Sequence, residues 1–260
     1  MVKKLIPSKI KQLIKLALHS GSKYQCPICG YKSKDLFPIG KDIPVLKEKQ
    51  VVGAGLRNGG CYKCGSSDRE RLVFTYLTEK VNIFESKDLK ILHLAPEKNI
   101  SSALSKIGFN DYICGDLFTE GYQYPDYVQN MNVLNIPFED NYFDLIICNH
   151  LLEHVPNDTD AMKELFRVLN SNGKAILQVP ISKNSDTTFE DFSVTDSKER
   201  ESVFGQFDHL RIYGQDYSDR LNSIGFKIER INISKEFPKY GLVLDEDIFI
   251  GKKTTIHNNM

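Results

Sequence analysis

Four cysteines at two identical spacings are the clearest chemistry in this chain. Cys26-Pro27-Ile28-Cys29-Gly30 and Cys61-Tyr62-Lys63-Cys64-Gly65 are two CxxC knuckles, each followed by glycine. Such a pair places four thiolates where two tight turns can close a tetrahedral shell around Zn²⁺, and the glycines give the backbone freedom beside sulfur. Four protein ligands leave no open coordination position, so the expected metal is structural, holding a ribbon too small to fold on its own core. Redox chemistry fits less well: one catalytic CxxC would suffice, and neither knuckle opens a helix after a strand.

A second group of chemically capable residues falls at the ends of apolar runs. Phe143–Cys148 and Ala175–Val179 read as buried strands around a helix at about 158–169, with Gly173 as its stop, the pattern of a βαβ unit in a parallel sheet. Parallel sheets bind ligands at the carboxyl ends of their strands, which here means Asn149, His150, Glu153 and His154, then Pro180 and Ile181. An earlier strand, 90–95, runs into Pro96-Glu97 and a helix at about 100–107 that stops at Gly108. The next strand, 111–114, ends in Gly115-Asp116; an acid at this tip, about 20 residues after the first turn, is placed to accept hydrogen bonds from both ribose hydroxyls of an adenosine. The tyrosine-bearing segment that follows, with Tyr122, Tyr124 and Tyr127, reads as a loop rather than a crossover helix.

The stretch after Pro180 is polar, irregular and too long for an ordinary strand-to-helix connection, so residues 181–213 are expected to form a lid or substrate loop. If its last part is extended, His209, Arg211 and Tyr213 share one face and Asp208 lies apart. An imidazole titrating near neutrality suits proton removal, which makes His209 the candidate base and His150 the alternative. Arg211 is the candidate for bidentate binding of a substrate phosphate or carboxylate. A helix at 216–223 ended by Gly225, and strands at 226–233 and 247–252, complete the body.

The elements that must hold these groups are legible in part. Ser67 and Glu70, three apart, form a capping box that opens a helix with Leu72, Val73, Tyr76 and Leu77 on its apolar side. Arg69 and Arg71 lie in its first turn, where the helix dipole disfavours cations, so anionic partners are expected. The 31-residue insert between the knuckles is loop-rich, with a hairpin expected around 44–52; Arg57 and nearby lysines read as a phosphate contact or, more simply, a solvated face. Residues 8–19 place Ile10, Leu13, Ile14, Ala17 and Leu18 at helical spacing among lysines. Such a helix can lie on an anionic membrane surface or pack on the body or a partner.

At 260 residues and 41% hydrophobic, the chain is long enough for one large α/β domain with a small appendage. Lys+Arg and Asp+Glu balance at 34 each, so the chain as a whole offers no general attraction to nucleic acid. Through Cys64, however, 13 Lys/Arg face three acids, a local +10 that leaves −10 for the rest. Apolar runs fall short of the roughly 20 residues of a membrane span, and lysines interrupt any signal-like segment, so the expected location is cytoplasmic. Six cysteines there would remain reduced, which favours metal over disulfide for the paired ones.

The run LNIPFEDNYFDLIICNHLLEHV followed by ELFRVLNSNGKAILQVP resembles the central motifs of class I S-adenosylmethionine-dependent methyltransferases of the broad, type 11-like, small-molecule kind, over roughly 88–252. CGSSDRERL resembles the junction in members that carry an N-terminal zinc ribbon. The resemblance implies a Rossmann-like doubly wound α/β sheet with an antiparallel closing strand. It also implies S-adenosylmethionine at the tips of adjacent strands around Ala95, Asp116, Asn132 and Asn149. The family's acidic-x-Gly-x-Gly turn is replaced by His93-Leu94-Ala95-Pro96-Glu97, where Ala95 is still small and Glu97 can accept hydrogen bonds from the cofactor's ammonium group. Asn132 stands where the family commonly has an Asp for the adenine amine, with Val133 beside the ring, and His154 is expected to orient the helix start and the pocket. Expected domains are a basic helix (1–22), a zinc ribbon (23–66), a methyltransferase domain (67–255) with Arg211, Tyr213 and His154 toward substrate, and a short tail (256–260). The expected reaction is methyl transfer to O or N of a small-molecule or glycan acceptor. The alternatives are an RNA or protein methyltransferase that grips its polymer with the ribbon, and a binding protein without catalysis.

Overall fold

The computed structural model describes residues 7–253. At its centre is a sheet of seven strands: β1 (Lys90–Leu94), β2 (Asp111–Asp116), β3 (Val128–Asn130), β4 (Phe143–Asn149), β5 (Leu169–Gln178), β6 (Phe226–Ile231) and β7 (Ile248–Lys253). Their spatial order is β6-β7-β5-β4-β1-β2-β3. The five strands β1 to β5 run parallel, and β7 enters antiparallel between β5 and β6. The order reverses at β1, and a doubly wound sheet leaves its crevice at such a switch point.

Both faces of the sheet are covered, which is why its strands are nearly continuous apolar runs rather than alternating ones. Leu92, Ile146, Cys148, Ala175 and Leu177 face one core with Met162, Leu165 and Tyr217. Their neighbours in sequence, Ile91, Leu145, Ile147 and Ile176, face the other with Leu72, Leu77 and Ile100. The helices responsible, after α1 (Ser8–Leu18), are α2 (Asp68–Glu79), α3 (Lys98–Leu104), α4 (Asp158–Val168) and α6 (Tyr217–Ile224), whereas α5 (Ser197–Phe204) packs apart, in a cluster with Val194 and Ile212. The Ser67–Glu70 capping box forms as expected. No crossover helix joins β2 to β3. Helix α3 lies about three residues earlier than the expected 100–107. Gly173 does not stop α4: the helix gives way at Leu169, and Gly173 sits within β5, whose register against β4 shifts between Leu169 and Lys174.

The insert between the knuckles departs most from expectation. In place of a hairpin over 44–52 there is a short helix, Pro44–Glu48, with proline in its first turn, and then a two-residue strand. That strand, Val51–Val52, pairs antiparallel with Ile181–Ser182 at the start of the lid. Ser182 Oγ donates to Lys49 O (2.7 Å) and Asn184 Nδ2 to Glu48 O (2.8 Å). Leu46 packs against Gly205, where any Cβ would come within 2.3 Å of its side chain. The lid therefore closes on the ribbon's insert as well as on the sheet.

Arg71 fastens the ribbon to the body from below. Its buried guanidinium donates to Tyr240 O, Ser66 O and Gly241 O at 2.7–2.9 Å. Three carbonyl oxygens thus stand where anionic partners were expected. Arg57, read as a phosphate contact or a solvated face, is instead paired with Asp68, one of its bonds being 2.6 Å. Helix α1 touches the ribbon through Gln12, which donates to Tyr62 O (3.1 Å), while Leu13 and Leu18 stay exposed. No described helix is long and apolar enough to cross a membrane. The proposed tail at 256–260 and the first six residues of the proposed N-terminal helix lie outside the described residues.

Candidate active site

The carboxyl ends of β1, β2 and β4 and the segment after β3 open into one cavity of about 640 Å³. A cavity of that size accommodates a nucleoside-sized ligand. Leu94, Ala95, Gly115, Asp116, Asn132 and Val133 line its inner wall. Tyr122, Tyr124, His150, His154, Phe207 and Asp208 stand along its outer wall. Of the expected cofactor residues, Ala95, Asp116, Asn132 and Val133 reach this cavity directly.

His93, Glu97 and Asn149 form a buried relay beside the turn instead. His93 Nε2 lies 2.8 Å from Glu97 Oε2, and Asn149 Nδ2 donates to Glu97 Oε1 (3.0 Å). Burial pushes the Glu97 carboxyl up, but its imidazole and amide partners outweigh this and hold it below the ordinary value. Glu97 is thus already engaged on both oxygens, and its service to a cofactor ammonium would share them. Pro96 follows in the same turn and does not line the cavity. Ala95 adopts φ +45°, and His150, at the tip of β4, φ +51°. Non-glycine residues rarely adopt this left-handed conformation, and here two of them flank one crevice. Gly115 is required for a different reason: a Cβ there would meet Met131 Sδ at 2.7 Å, closing the space above Asp116.

The half-buried Asp116 carboxyl is raised by burial, offset only in part by the Leu117 N–H, and makes no side-chain hydrogen bond among the described residues. It points an unspent acceptor at the cavity. Asn132 Oδ1 accepts from Leu134 N (2.9 Å), so one of its lone pairs is spent locally and one remains for an adenine amine.

The far side is titratable. His150, Glu153 and His154 follow one another on the turn after β4, and His209 comes in from the lid, its ring edge-on to His154 with centroids 4.7 Å apart. His154 Nδ1 is 3.3 Å from Asp208 Oδ2. Burial lowers the His154 pKa, but Asp208 and Glu153 outweigh it, so the net shift is upward. His209 is pushed down to about 4, chiefly by burial. Glu153 falls to about 2 because the imidazoles of His150, His154 and His209 outweigh its burial. Asp208, which sequence alternation set apart, is thus part of the site.

Arg211 and Tyr213 are not free for substrate. Arg211 is 1% exposed; it donates to Leu152 O (2.8 Å), Val155 O (2.6 Å) and Pro156 O (3.0 Å), and to Glu190 (2.9 Å). The fully buried Tyr213 donates to Asp158 (2.6 Å). With four of its five N–H donors taken by three carbonyls and a carboxylate, this buried guanidinium has no free pair left to grip a phosphate bidentately. Arg211 instead rivets the lid to the turn that carries Glu153 and His154. With Leu210 N donating to Glu153 O (3.0 Å), it fixes where His209 falls.

A second cavity, of about 390 Å³, lies between the lid and the ribbon insert. Lys41, Arg57, Arg69, Gly53, Phe207 and His209 line it, so Phe207 borders both spaces. Lys41 pairs with Glu201 and Arg57 with Asp68. Arg69 forms no side-chain ion pair among the described residues. Beneath it, Glu246 is 4% exposed with both carboxyl oxygens unbonded, and burial raises it to about 7. Sequence reasoning missed this chamber, because its walls are more than a hundred residues apart in the chain.

The knuckles converge as their spacing predicts. All four cysteines are unbridged, and their sulfurs lie within 4.8 Å of one another. In a tetrahedral ZnS₄ group with bonds of about 2.3 Å, sulfurs are about 3.8 Å apart. Cys26–Cys64 and Cys29–Cys61 stand at 3.7 and 3.6 Å. The donor set fits Zn²⁺.

A parallel sheet reversing at β1, with an adenosine-sized crevice at its strand tips and an acid on the second of them, defines a nucleotide-cofactor enzyme of the Rossmann-like class. Residues 100–177 match the family model described as a methyltransferase domain. Among curated proteins, an uncharacterized protein of Methanocaldococcus jannaschii is 42% identical over 66 residues, 24% of this chain. The match spans only 28% of that protein's length. Among solved structures, an S-adenosylmethionine-dependent methyltransferase from Archaeoglobus fulgidus has 15% identity and a TM-score of 0.45, covering 72% of this chain and 95% of its own. One from Mesorhizobium loti has 14% identity and a TM-score of 0.45, covering 67% and 95%.

Proposed function

We propose that the protein transfers a methyl group from S-adenosylmethionine to an oxygen or nitrogen of a small anionic acceptor, a sugar or sugar-nucleotide in kind. The observation that carries this is the pairing of two spaces across Phe207: a strand-tip cavity with an unspent acid at its ribose end, and a cationic chamber under the lid. When bound, the cofactor supplies a sulfonium methyl that needs no further activation. Asp116 would hold the ribose hydroxyls, Asn132 the adenine amine, and Met131, Val133 and Leu134 the ring's faces. In the family's usual pattern glycines bring backbone to the methionine end; here Ala95 does so in the conformation a glycine would have.

In-line displacement asks the protein to aim the acceptor and to relieve it of a proton. Arg69, with no ion pair of its own, takes over the anion-binding role expected of Arg211. The acceptor atom would then lie beside His150, His154 and His209. His209, the candidate base, is neutral at working pH and offers a lone pair. With a pKa near 4, however, it holds a proton only weakly, so it serves better as an aligning acceptor than as the proton's final home. The zinc proposed for Cys26, Cys29, Cys61 and Cys64 takes no part in the chemistry; it holds the insert that walls the acceptor chamber.

Calorimetric titration with S-adenosylmethionine tests the reading. We expect stoichiometric binding, weakened at least tenfold, about 1.4 kcal/mol, by Asp116→Ala. Absence of binding to the wild-type protein would leave only a zinc-stapled binding module, and undiminished affinity in the variant would remove Asp116 from the ribose.

A further inference from the structure

We propose that Glu153, His154 and His209 form a second metal site, one that takes a divalent first-row cation at the acceptor end of the cleft. One ligand atom from each of the three lies within 4.8 Å of the others. Glu153 is 1% exposed, yet its Oε2 has no hydrogen-bond partner among the described residues; the adjoining His150 reaches Glu153 Oε1 only at 3.5 Å through Nδ1, and its Nε2 has no partner there. Groups so buried are costly to leave unbonded, the more so when charged. Their concentration at one point, aimed inward, marks a place built for something the chain itself does not supply.

The surroundings match that reading. His154 Nδ1 faces the Asp208 carboxylate at 3.3 Å, which leaves Nε2 as the free nitrogen. A carboxylate behind a ligating imidazole is the usual way to fix its tautomer and direction. Glu153 and His154 are adjacent on one turn, and the Arg211 rivet brings His209 across to them. One carboxylate oxygen and two neutral imidazoles favour Zn²⁺, Fe²⁺, Co²⁺ or Mn²⁺ over Mg²⁺, which prefers oxygen donors. Three protein ligands leave a coordination position open, as in catalytic rather than structural sites.

The proposal rests on the methyl-transfer reading and narrows it to an oxygen acceptor. An acceptor hydroxyl on the open position is acidified by the cation and releases its proton to solvent. The oxygen lone pair then forms the new C–O bond as the methyl C–S bond breaks, and the sulfur departs as a neutral thioether with that electron pair.

The test uses the full chain with its ribbon zinc, stripped of loosely held metal and titrated with CoCl₂. We expect one equivalent of Co²⁺ beyond the zinc, with visible d–d absorption and no thiolate charge-transfer band. Glu153→Gln and His209→Gln should each weaken cobalt binding at least tenfold while zinc content and circular dichroism stay unchanged. No uptake beyond the ribbon, a thiolate band showing that cobalt entered the cysteine site, or uptake undiminished in both variants would overturn the proposal. Should a variant lose its zinc and fold, wild-type stoichiometry and spectrum decide. S-adenosylmethionine titrated into the same samples separates the two readings: cofactor binding without cobalt binding defeats the cation alone, and cobalt binding without cofactor binding defeats methyl transfer.

Discussion

The two halves of the cleft are built in opposite ways. The cofactor half comes from consecutive strand tips of one sheet, residues 94–95, 115–116, 131–134 and 150–151, each set by the strand before it. The acceptor half is assembled from pieces far apart in the chain: the insert at 39–57, the helix start at 67–69 and the lid at 180–209. Its parts share no strand order, only mutual contacts. The first half is positioned by the core of the domain, and the second by the four-cysteine cluster, by Arg211 and by the two-residue pairing of Val51–Val52 with Ile181–Ser182.

The largest expected effect separates the halves outright. Cys61→Ser should release the zinc, lower the melting temperature and abolish turnover, because the insert it holds is the chamber's wall. Metal analysis and activity assays read this, while the calorimeter should find S-adenosylmethionine affinity within a few-fold of wild type. Equal loss of both would show the halves to be one cooperative unit. Next in size is Arg211→Ala, which leaves the buried Leu152 and Val155 carbonyls without their donor while Glu190 keeps Arg220, and should cost about 2–5 kcal/mol in denaturant unfolding. Arg211→Lys should recover little of this, since an ammonium cannot span the same partners. Unchanged stability with a raised KM would restore Arg211 to the substrate.

These contrasts explain what the sequence could reveal. The β1-to-β5 tips, the Asp116 acid and the cysteine knuckles follow from local patterns: apolar runs bounded by turns, and ligand spacing. Arg211 misled because a charged residue in a polar, irregular stretch looks solvated, and only the tertiary structure brings three carbonyls to it. Asp208 was set apart by an alternation that holds for strands, whereas the segment forms strand only at Arg211–Ile212. Pro44, at the start of the expected hairpin, instead opens a helix, a position that suits proline well. Glu246 carried no signal at all, and Arg69 signalled only a need for some anion, because nothing in either's neighbourhood in sequence foretells that the two come together under Gly53.

Glu246 supplies a pH signature that belongs to the acceptor half alone. Its carboxyl is 4% exposed and held near 7 rather than 4.5, chiefly by burial, so the folded state keeps a proton that the unfolded chain has released. The stability this contributes is fully present below pH 4.5 and is lost as pH rises through 7, a change of about 3 kcal/mol over that window. Glu246→Gln should flatten this part of the stability–pH curve. A variant with the wild-type slope would place the titration elsewhere.

The smallest expected effect tests how well the sheet alone specifies the cofactor half. Ala95 holds φ +45° where the family's pattern has glycine, a conformation that costs an alanine about 1–2 kcal/mol. Ala95→Gly would relieve that strain but loosen the unfolded chain, an opposing effect of about 0.4–1 kcal/mol. The difference favours the variant by about 0–1.6 kcal/mol, so we expect a melting temperature raised by a few degrees and cofactor affinity equal or tighter. A fall in stability would mean that the methyl group packs against the cavity wall and is worth more than the strain it imposes. Weaker cofactor binding at unchanged stability would mean instead that the alanine turn is shaped for the methionine end, and that the departure from glycine is part of how this cleft holds its cofactor.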